Sequence, residues 1–390
     1  MRIIGETHLP FLRYRRFAIG VSLAVILAGL AYEAFGPGLN LGIDFLGGTQ
    51  VTIKFKESPD LHELRTSVTG LGAGEPMIQR FDEPEKHEVL IRVQNPAEAE
   101  GDFTKPILEH LQQTFNGELG DRFDLNTQGS KELTDLLVAA DPDGVGGDQE
   151  ARRLHYSPMA DAVLAYRKAN GIFNSVDDVD KVEGLTDAVR AALKARTVAG
   201  AYSLLGAESV GPAVGKDLRE KAQLAIAFSL VGMLVYIWVR FQLPYGIGAV
   251  VALFHDVLIT LSALSLTHRE INLPTIAALL TLVGYSVNDT VVVFDRVREN
   301  LKLHRGEDLE KTMDESINQT LSRTLITSGT TLMVVICLYL FGGDVINTFA
   351  FVLLVGIIVG TYSSIFIASP VALWMSRIMQ HRRDRRRARR

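Results

Sequence analysis

Long apolar blocks, rather than short alternating patterns, divide this chain. A block of about 18 or more apolar residues matches the roughly 30 Å hydrocarbon core of a bilayer. We predict a membrane helix for each of six such blocks. They cover about residues 17–35, 222–239, 244–266, 273–294, 324–341 and 345–374. The last block is longer than a bilayer requires and is expected to end near Pro370.

The polar stretch 36–219, between the first two blocks, has the patterns of an α+β domain. Runs rich in β-forming residues predict strands, and helical spacing predicts helices. The strands are expected at 49–54, 87–93 and 201–210, and the helices at 61–71 and 105–115. The predicted order is strand–helix–strand–strand–helix–strand, which gives an open sheet with its helices on one face.

A shift in composition between about 126 and 196 indicates a module inserted into this domain. Short helices around a turn at 183–185 resemble a helix-hairpin-helix unit. Such units often bind the DNA backbone, but the acidic residues crowding this turn would repel phosphates. Asp141 and Asp143 resemble the start of a calcium loop that lacks its closing glutamate. We therefore expect a packing or protein-contact module.

The composition agrees with a membrane protein and argues against a soluble enzyme. Hydrophobic residues make up 47% of the chain, and its mean hydropathy is +0.16. The single cysteine, Cys337, excludes an internal disulfide and a cysteine-based metal cluster. We predict no metal and no cofactor. The first block is too long for a signal-peptide core and no cleavage site follows it, so we expect a retained membrane helix.

The net charge of -5 conceals a strong asymmetry. Basic residues precede the first block, lie between the second and third and between the fourth and fifth, and follow the sixth. Residues 36–219 are acidic. The positive-inside rule then predicts that the N-terminus 1–16 and the basic tail 375–390 are cytoplasmic, with 220–374 carrying helices two to six. We expect the tail to contact anionic membrane lipids, and no nucleic acid, because no aromatic residues are interleaved to stack on bases.

Three charged residues are candidates: Asp256 in the third block, Asp289 in the fourth, and Arg323 at the entry to the fifth. A charge at mid-bilayer costs roughly 3 kcal/mol or more, so such residues are functional candidates. Ser286 is three residues before Asp289, and Thr327 is four after Arg323, so each shares a helical face with its neighbour. Hydroxyls there could hold water or relay protons. We expect proton coupling through Asp289 and Arg323, with a static salt bridge as the alternative.

Asp256 stays open between a functional and a structural role. His255 beside it is expected on a different helical face, so the sequence predicts no ready-made dyad. Asp256 and Asp289 could nominally form the acid pair of an intramembrane protease, but neither an HExxH nor a GxGD motif is present. Sodium in place of protons also stays open, because a carboxylate with hydroxyls can bind either. We expect no covalent catalysis.

Several polar motifs resemble those of the SecD/SecF family of protein export membrane proteins. The motifs are LGIDFLGGTQVTI, ESVGPAVGKDL, HDVLIT, GYSVNDTVVVFDRVREN, INQTLSRTLITSGTTL and LYLFGG. They occur in the family's order and cover the chain except about 126–196, where the inserted module departs from the compact family domain. The resemblance is therefore specific.

The resemblance implies an α-helical membrane protein with six transmembrane helices, an RND-like half, and an α+β extracytoplasmic domain between helices 1 and 2. It implies the cytoplasmic (inner) membrane of a bacterium. The partners implied are SecD, the SecYEG channel, a YajC-like accessory subunit and exported preproteins, with the proton-motive force driving late steps of export. The alternative is half of an RND-type small-molecule or lipid exporter, which would need a large apolar pocket in the outer domain.

The resemblance also assigns residues. In the family, the aspartate of the NDT motif and the arginine of the SRT motif belong to the proton path; here they are Asp289, preceded by Asn288, and Arg323. The GIDF and GG residues mark the start of the outer domain: Gly42, Asp44, Gly47 and Gly48. Their glycines predict a tight, strained turn into a strand.

Overall fold

The computed structural model describes residues 7–36, 38–69, 76–81, 86–94, 103–117, 122–304 and 307–388. Residues 1–6 of the predicted N-terminus and 389–390 of the predicted tail lie outside the described residues. So do residues 70–71, the end of the predicted helix 61–71. The chain divides into two compact units, one of Met1–Gly42 with Leu218–Arg390 and one of Ile43–Asp217.

The elements follow in chain order. The helices are α1 (Arg15–Phe35), α2 (Ile43–Leu46), α3 (Leu61–Thr69), α4 (Thr104–Leu111), α5 (Ser130–Ala140), α6 (Gln149–Asn170), α7 (Asp187–Arg196), α8 (Pro212–Arg240), α9 (Leu243–Leu266), α10 (Leu273–Leu303), α11 (Leu309–Phe341), α12 (Gly343–Ser363) and α13 (Ser369–Ala388). The strands are β1 (Gly48–Phe55), β2 (Met77–Phe81), β3 (Glu88–Val93), β4 (Phe123–Asp124), β5 (Thr197–Val198) and β6 (Tyr202–Val210).

In the described part of the chain, six helical segments are long and apolar enough to cross a membrane, as predicted. The third, fourth and sixth are half buried, whereas the other three are mostly exposed. Helices α9 and α10 each carry a proline in the first turn, where its missing N–H costs no hydrogen bond. Asn272 caps α10 by accepting a bond from the Thr275 amide, at 3.0 Å. These two helices and α12 therefore form the centre of the bundle.

The sixth segment does not end near Pro370, contrary to the prediction. The chain stays helical to the end of α13, so the first part of the predicted tail 375–390 is helix. A π-turn at Ser364–Ala368 joins α12 to α13 directly before the proline. Proline clashes with the carbonyl four residues earlier in a regular helix, and the wider turn relieves that clash. The Ser369 hydroxyl donates to the Ser364 carbonyl, at 2.9 Å.

The second unit has the predicted strand–helix–strand–strand–helix–strand order. Its four long strands form an antiparallel sheet in the order β2-β3-β1-β6. Alternate β1 residues Val51, Ile53 and Phe55 point to one face, where Leu64 of α3 and Ile107 of α4 pack on them. Both helices thus lie on one face of the sheet, as expected.

The GG motif makes the strained turn that the sequence predicts. Gly47 and Gly48 have φ angles of +72° and +140°. A Cβ on Gly48 would lie 2.5 Å from the Val93 carbonyl oxygen, and one on Gly47 would lie 2.9 Å from the Pro212 Cα. Gly42 differs, because its constraint is steric: a Cβ there would clash with the Glu270 carboxylate.

Residues 126–196 have a hydrophobic core of their own, formed by α5, α6, α7 and the turns between them. Asn126 joins this module to the sheet. Its side chain accepts from the Phe173 amide at 2.8 Å and donates to the carbonyls of Phe173 and Gly200 at 3.0 and 2.9 Å. The buried Asp124 carboxylate accepts from the amides of Asn126 and Gly200, both at 2.9 Å. The module is therefore anchored through buried polar groups.

Asp143, in the loop between α5 and α6, places a carboxylate beside the start of α7. The Thr186 hydroxyl accepts from the Val189 amide and donates to Asp143 at 2.5 Å. This negative charge at the helix start would repel a phosphate. Nearby, the Asp141 carboxylate accepts bonds from the Tyr156 hydroxyl and from two loop amides.

We predict that Gly48→Ala destabilises the sheet, because alanine is strained at this φ and its Cβ meets a backbone carbonyl; such a conformation costs about 1–3 kcal/mol. Hydrogen exchange in the full chain should become faster in β1 and β3. Gly206→Ala in β6 is the control, since a Cβ there meets nothing within 4 Å. Equal exchange rates in the two variants would contradict the prediction.

We predict that Asp141→Asn lowers the stability of the inserted module in a pH-dependent way. The hydrogen bond from Tyr156 is the main cause that holds the pKa of Asp141 below its usual value, and burial raises the pKa of Tyr156 to about 12. A lowered pKa stabilises the fold above the unfolded value of about 3.9, and this contribution is lost as the pH falls through the native pKa. Melting curves of wild type and variant should differ at neutral pH and converge in acid. A difference that persists in acid would refute this linkage.

Candidate functional site

Three helices meet at the Asp289 carboxylate in the middle of α10. The residue is only 2% exposed. The Ser328 hydroxyl of α11 donates to its Oδ2 at 3.1 Å, and the Thr361 hydroxyl of α12 donates to the same oxygen at 3.4 Å. Hydroxyl donors stabilise an ionised carboxylate without fixing its charge.

Arg323 does not form an ion pair with Asp289. The partners that the structure describes for Asp289 are the two hydroxyls. Arg323 lies five residues before Ser328 on α11, is exposed and borders a polar cavity of about 1360 Å³ with Thr327, Asp314 and others. The static salt bridge considered from the sequence is therefore not formed in this conformation.

The other residues predicted around Asp289 have different contacts. Ser286 donates to Asp256. The Thr327 hydroxyl donates to the Arg323 carbonyl of its own helix, at 3.0 Å. Asn288 is exposed and lines a smaller cavity, of about 310 Å³, between α8 and α10. These three residues therefore do not extend the hydrogen bonding of Asp289.

Asp256 is the most completely enclosed acid of this unit, with no exposed surface. Its Oδ2 accepts from Ser286 of α10 and, at 2.8 Å, from Ser363 of α12. His255 Nδ1 lies 2.8 Å from its Oδ1. The prediction that His255 and Asp256 form no dyad is therefore wrong. Because α9 is buried on more than one side, both consecutive side chains point into the bundle.

Thr361 and Ser363 are site residues that were not predicted from the sequence. Both belong to the polar segment TYSS at 361–364, which interrupts the apolar sixth block and is the signal that could have revealed them. This segment supplies one hydroxyl to each buried acid. No hydrogen bond among the described residues joins Asp256 to Asp289, and the two acids accept from different hydroxyls.

Two glycines bring α12 close enough for these contacts. A Cβ on Gly360 would lie 3.3 Å from the Ser286 Cα, and one on Gly356 would clash with the Leu282 side chain. Small residues let membrane helices approach closely, as the spacing of this pair predicts. The Thr361 and Ser363 hydroxyls consequently reach acids on two other helices.

The segment before α1 is fastened to one face of α11. Glu310 accepts from Arg15 at 2.6 Å and from Arg377 of α13 at 2.7 Å. One turn on, Asp314 accepts from the Leu12 amide at 2.9 Å. These contacts hold the start of α11, the helix that carries both Arg323 and Ser328.

Two family models match the chain. Residues 190–378 match the family described as protein export membrane protein SecD/SecF, C-terminal, and residues 34–59 match the SecD/SecF GG motif. The chain is 40% identical over 390 residues to the protein translocase subunit SecF of Koribacter versatilis, covering 98% of this chain and 95% of that one. It is 36% identical over 378 residues to the SecF subunit of Desulfurispirillum indicum, covering 96% and 94%.

A solved structure is also similar: the crystal structure of SecDF, a translocon-associated membrane protein, from Thermus thermophilus. The identity is 28%, the TM-score is 0.65, and the match covers 95% of this chain and 39% of that chain. The present chain thus spans about two fifths of the SecDF chain.

These similarities include the features described above. The GG-motif match contains the strained Gly47 and Gly48, and the C-terminal match contains Asp256, Asp289 and Arg323. The six apolar helices agree with a multi-pass membrane protein. The chain therefore belongs to the SecD/SecF family of protein export membrane proteins.

Proposed function

We propose that this protein is a proton-motive-force-driven auxiliary subunit of the Sec preprotein translocase, which promotes late steps of export together with SecD. The observation that carries the proposal is Asp289, a buried acid in the middle of a membrane helix. Among the described residues it is held by hydroxyls and by no fixed countercharge. Such a carboxylate can gain and lose a proton. The names of the curated relatives support the export pathway.

The proposed mechanism is a shift between two conformations of the bundle. Ionised Asp289 attracts Arg323 and accepts from Ser328, and both of these residues are on α11. Protonation removes this attraction and lets α11 move relative to α10. One charge moved through 100 mV supplies about 2.3 kcal/mol, enough to bias such an equilibrium. Asn288 and Thr327 border the two cavities, through which water would reach this region.

The proposed orientation places both termini in the cytoplasm and residues 36–219 outside. Arg13, Arg15 and Arg16 lie at the start of α1, and the arginine-rich end of the chain follows the sixth helix. This distribution follows the positive-inside rule. The basic tail would contact anionic lipids.

A SecD partner accounts for polar groups on the outside of the membrane bundle. Asn288 of α10, and Arg323 and Thr330 of α11, are exposed polar residues on two of the helices that are long and apolar enough to cross a membrane. Lipid tails offer no hydrogen bonds, so helices of another subunit are expected to cover these groups.

SecYEG, a YajC-like subunit and exported preproteins are the further partners that we propose. No observation favours the alternative of a small-molecule or lipid exporter.

We predict that Asp289→Asn and Arg323→Met each abolish gradient-dependent export while membrane insertion stays normal. The first change removes the protonatable group, and the second removes the charge that responds to it. Export of a preprotein into inverted membrane vesicles is the measurement. Asp295→Asn and Arg298→Met are matched controls on the exposed end of α10. Normal export by either test variant would remove that residue from the proton path.

We predict that protons, and not sodium ions, drive this activity. In the same vesicles, a protonophore that collapses the proton gradient should stop the stimulation of export. An ionophore that collapses only the sodium gradient should have no effect. The reverse pattern would show that sodium is the coupling ion.

A further inference from the structure

His255 is a buried titratable group that the proposed mechanism does not use. Its side chain is 7% exposed, and Nδ1 lies 2.8 Å from the fully buried Asp256 Oδ1. Its other ring nitrogen, Nε2, is buried and has no hydrogen-bond partner among the described atoms. A buried polar atom without a partner is costly, which suggests a role other than stability.

The pair can bind one proton without leaving a charge uncompensated. With a neutral histidine protonated on Nδ1, the Asp256 carboxylate carries one negative charge in the low-dielectric interior. A proton that reaches Nε2 from water is matched by transfer of the Nδ1 proton to Asp256 Oδ1. The pair has then gained one proton and is neutral.

The surroundings of the pair offer hydrogen-bond donors and no cation. Ser286 of α10 and Ser363 of α12 donate to Asp256 Oδ2. No Lys or Arg in the described part of the chain forms an ion pair with Asp256; the other nearby titratable groups are Asp289, one turn from Ser286, and Tyr362. Helix α13 meets α9 at Gly248 through small side chains. A proton is therefore the charge most able to neutralise this acid.

The same segment of α12 contacts both acids and α1. Thr361 donates to Asp289 and Ser363 to Asp256. Between them, the Tyr362 ring stacks on His255 with 6.2 Å between ring centroids, and its hydroxyl donates to the Ala18 carbonyl of α1 at 2.7 Å. The π-turn begins at Ser364, two residues after Tyr362, and such turns are frequent at functional sites.

We propose that His255 and Asp256 form a second proton-binding site of the membrane bundle, which exchanges its proton through His255 Nε2. The inference rests on the proposed proton-driven function and adds a site to it. In this site His255 takes up a proton at Nε2 and passes its Nδ1 proton to Asp256. Tyr362 positions the histidine ring.

The test is His255→Asn in the full chain, assembled with SecD and the channel in vesicles. The asparagine amide can still donate to Asp256 but cannot carry a proton. We expect a loss of gradient-driven export of about 100-fold, the scale of a missing proton-transfer group, with an unchanged melting temperature. His268→Asn, at the end of α9, is the control and should export normally. A His255→Asn variant that exports like wild type would overturn the second site.

A direct readout separates this inference from the function on which it rests. Nitrogen NMR of labelled histidine identifies the His255 ring by the signal that His255→Asn removes. We expect the ring to change protonation or tautomer with pH in wild type and in Asp289→Asn. A ring that keeps one state at every pH refutes the second site, even if Asp289→Asn stops export. Normal export by Asp289→Asn refutes the proposed function, whatever the histidine signal shows.

Discussion

A carboxylate inside a membrane bundle needs hydrogen-bond donors from its own protein, because lipid offers none. This constraint explains much of the arrangement of the first unit. Asp256 on α9 and Asp289 on α10 both receive hydroxyls from α12. The backbones of α10 and α12 must approach closely for this, and Gly356 and Gly360 permit it. The cost of burying the two acids is thus offset by the way in which the central helices pack.

The polar segment at the end of α12 connects parts of the bundle that would otherwise be independent. Thr361 and Ser363 contact different acids, and Tyr362 contacts α1. The adjoining π-turn contains a break in regular helical bonding and accommodates Pro370. A change of charge at either acid would therefore alter the contacts of α12, which also bonds to α1, the helix that precedes the second unit in the chain.

The second unit is stabilised by constraints of another kind. Its first strand begins at a glycine whose φ angle and close neighbour exclude other side chains. The inserted module is attached through Asp124 and Asn126, whose polar atoms replace water in a buried junction. Breaking such a junction leaves several donors unsatisfied, so the module is more firmly anchored than its loop-rich sequence suggests.

The sequence alone determined the six apolar helices, the order of strands and helices in the second unit, the tight glycine turn and the choice of Asp256 and Asp289 as candidates. Each of these follows from local information: apolar length, periodicity or a residue type that one conformation requires. The tertiary structure decided that Ser286 serves Asp256, that His255 joins it, that Arg323 stands apart from Asp289 and that the helix continues through Pro370. These outcomes depend on how helices rotate and approach one another, which spacing within one segment does not specify.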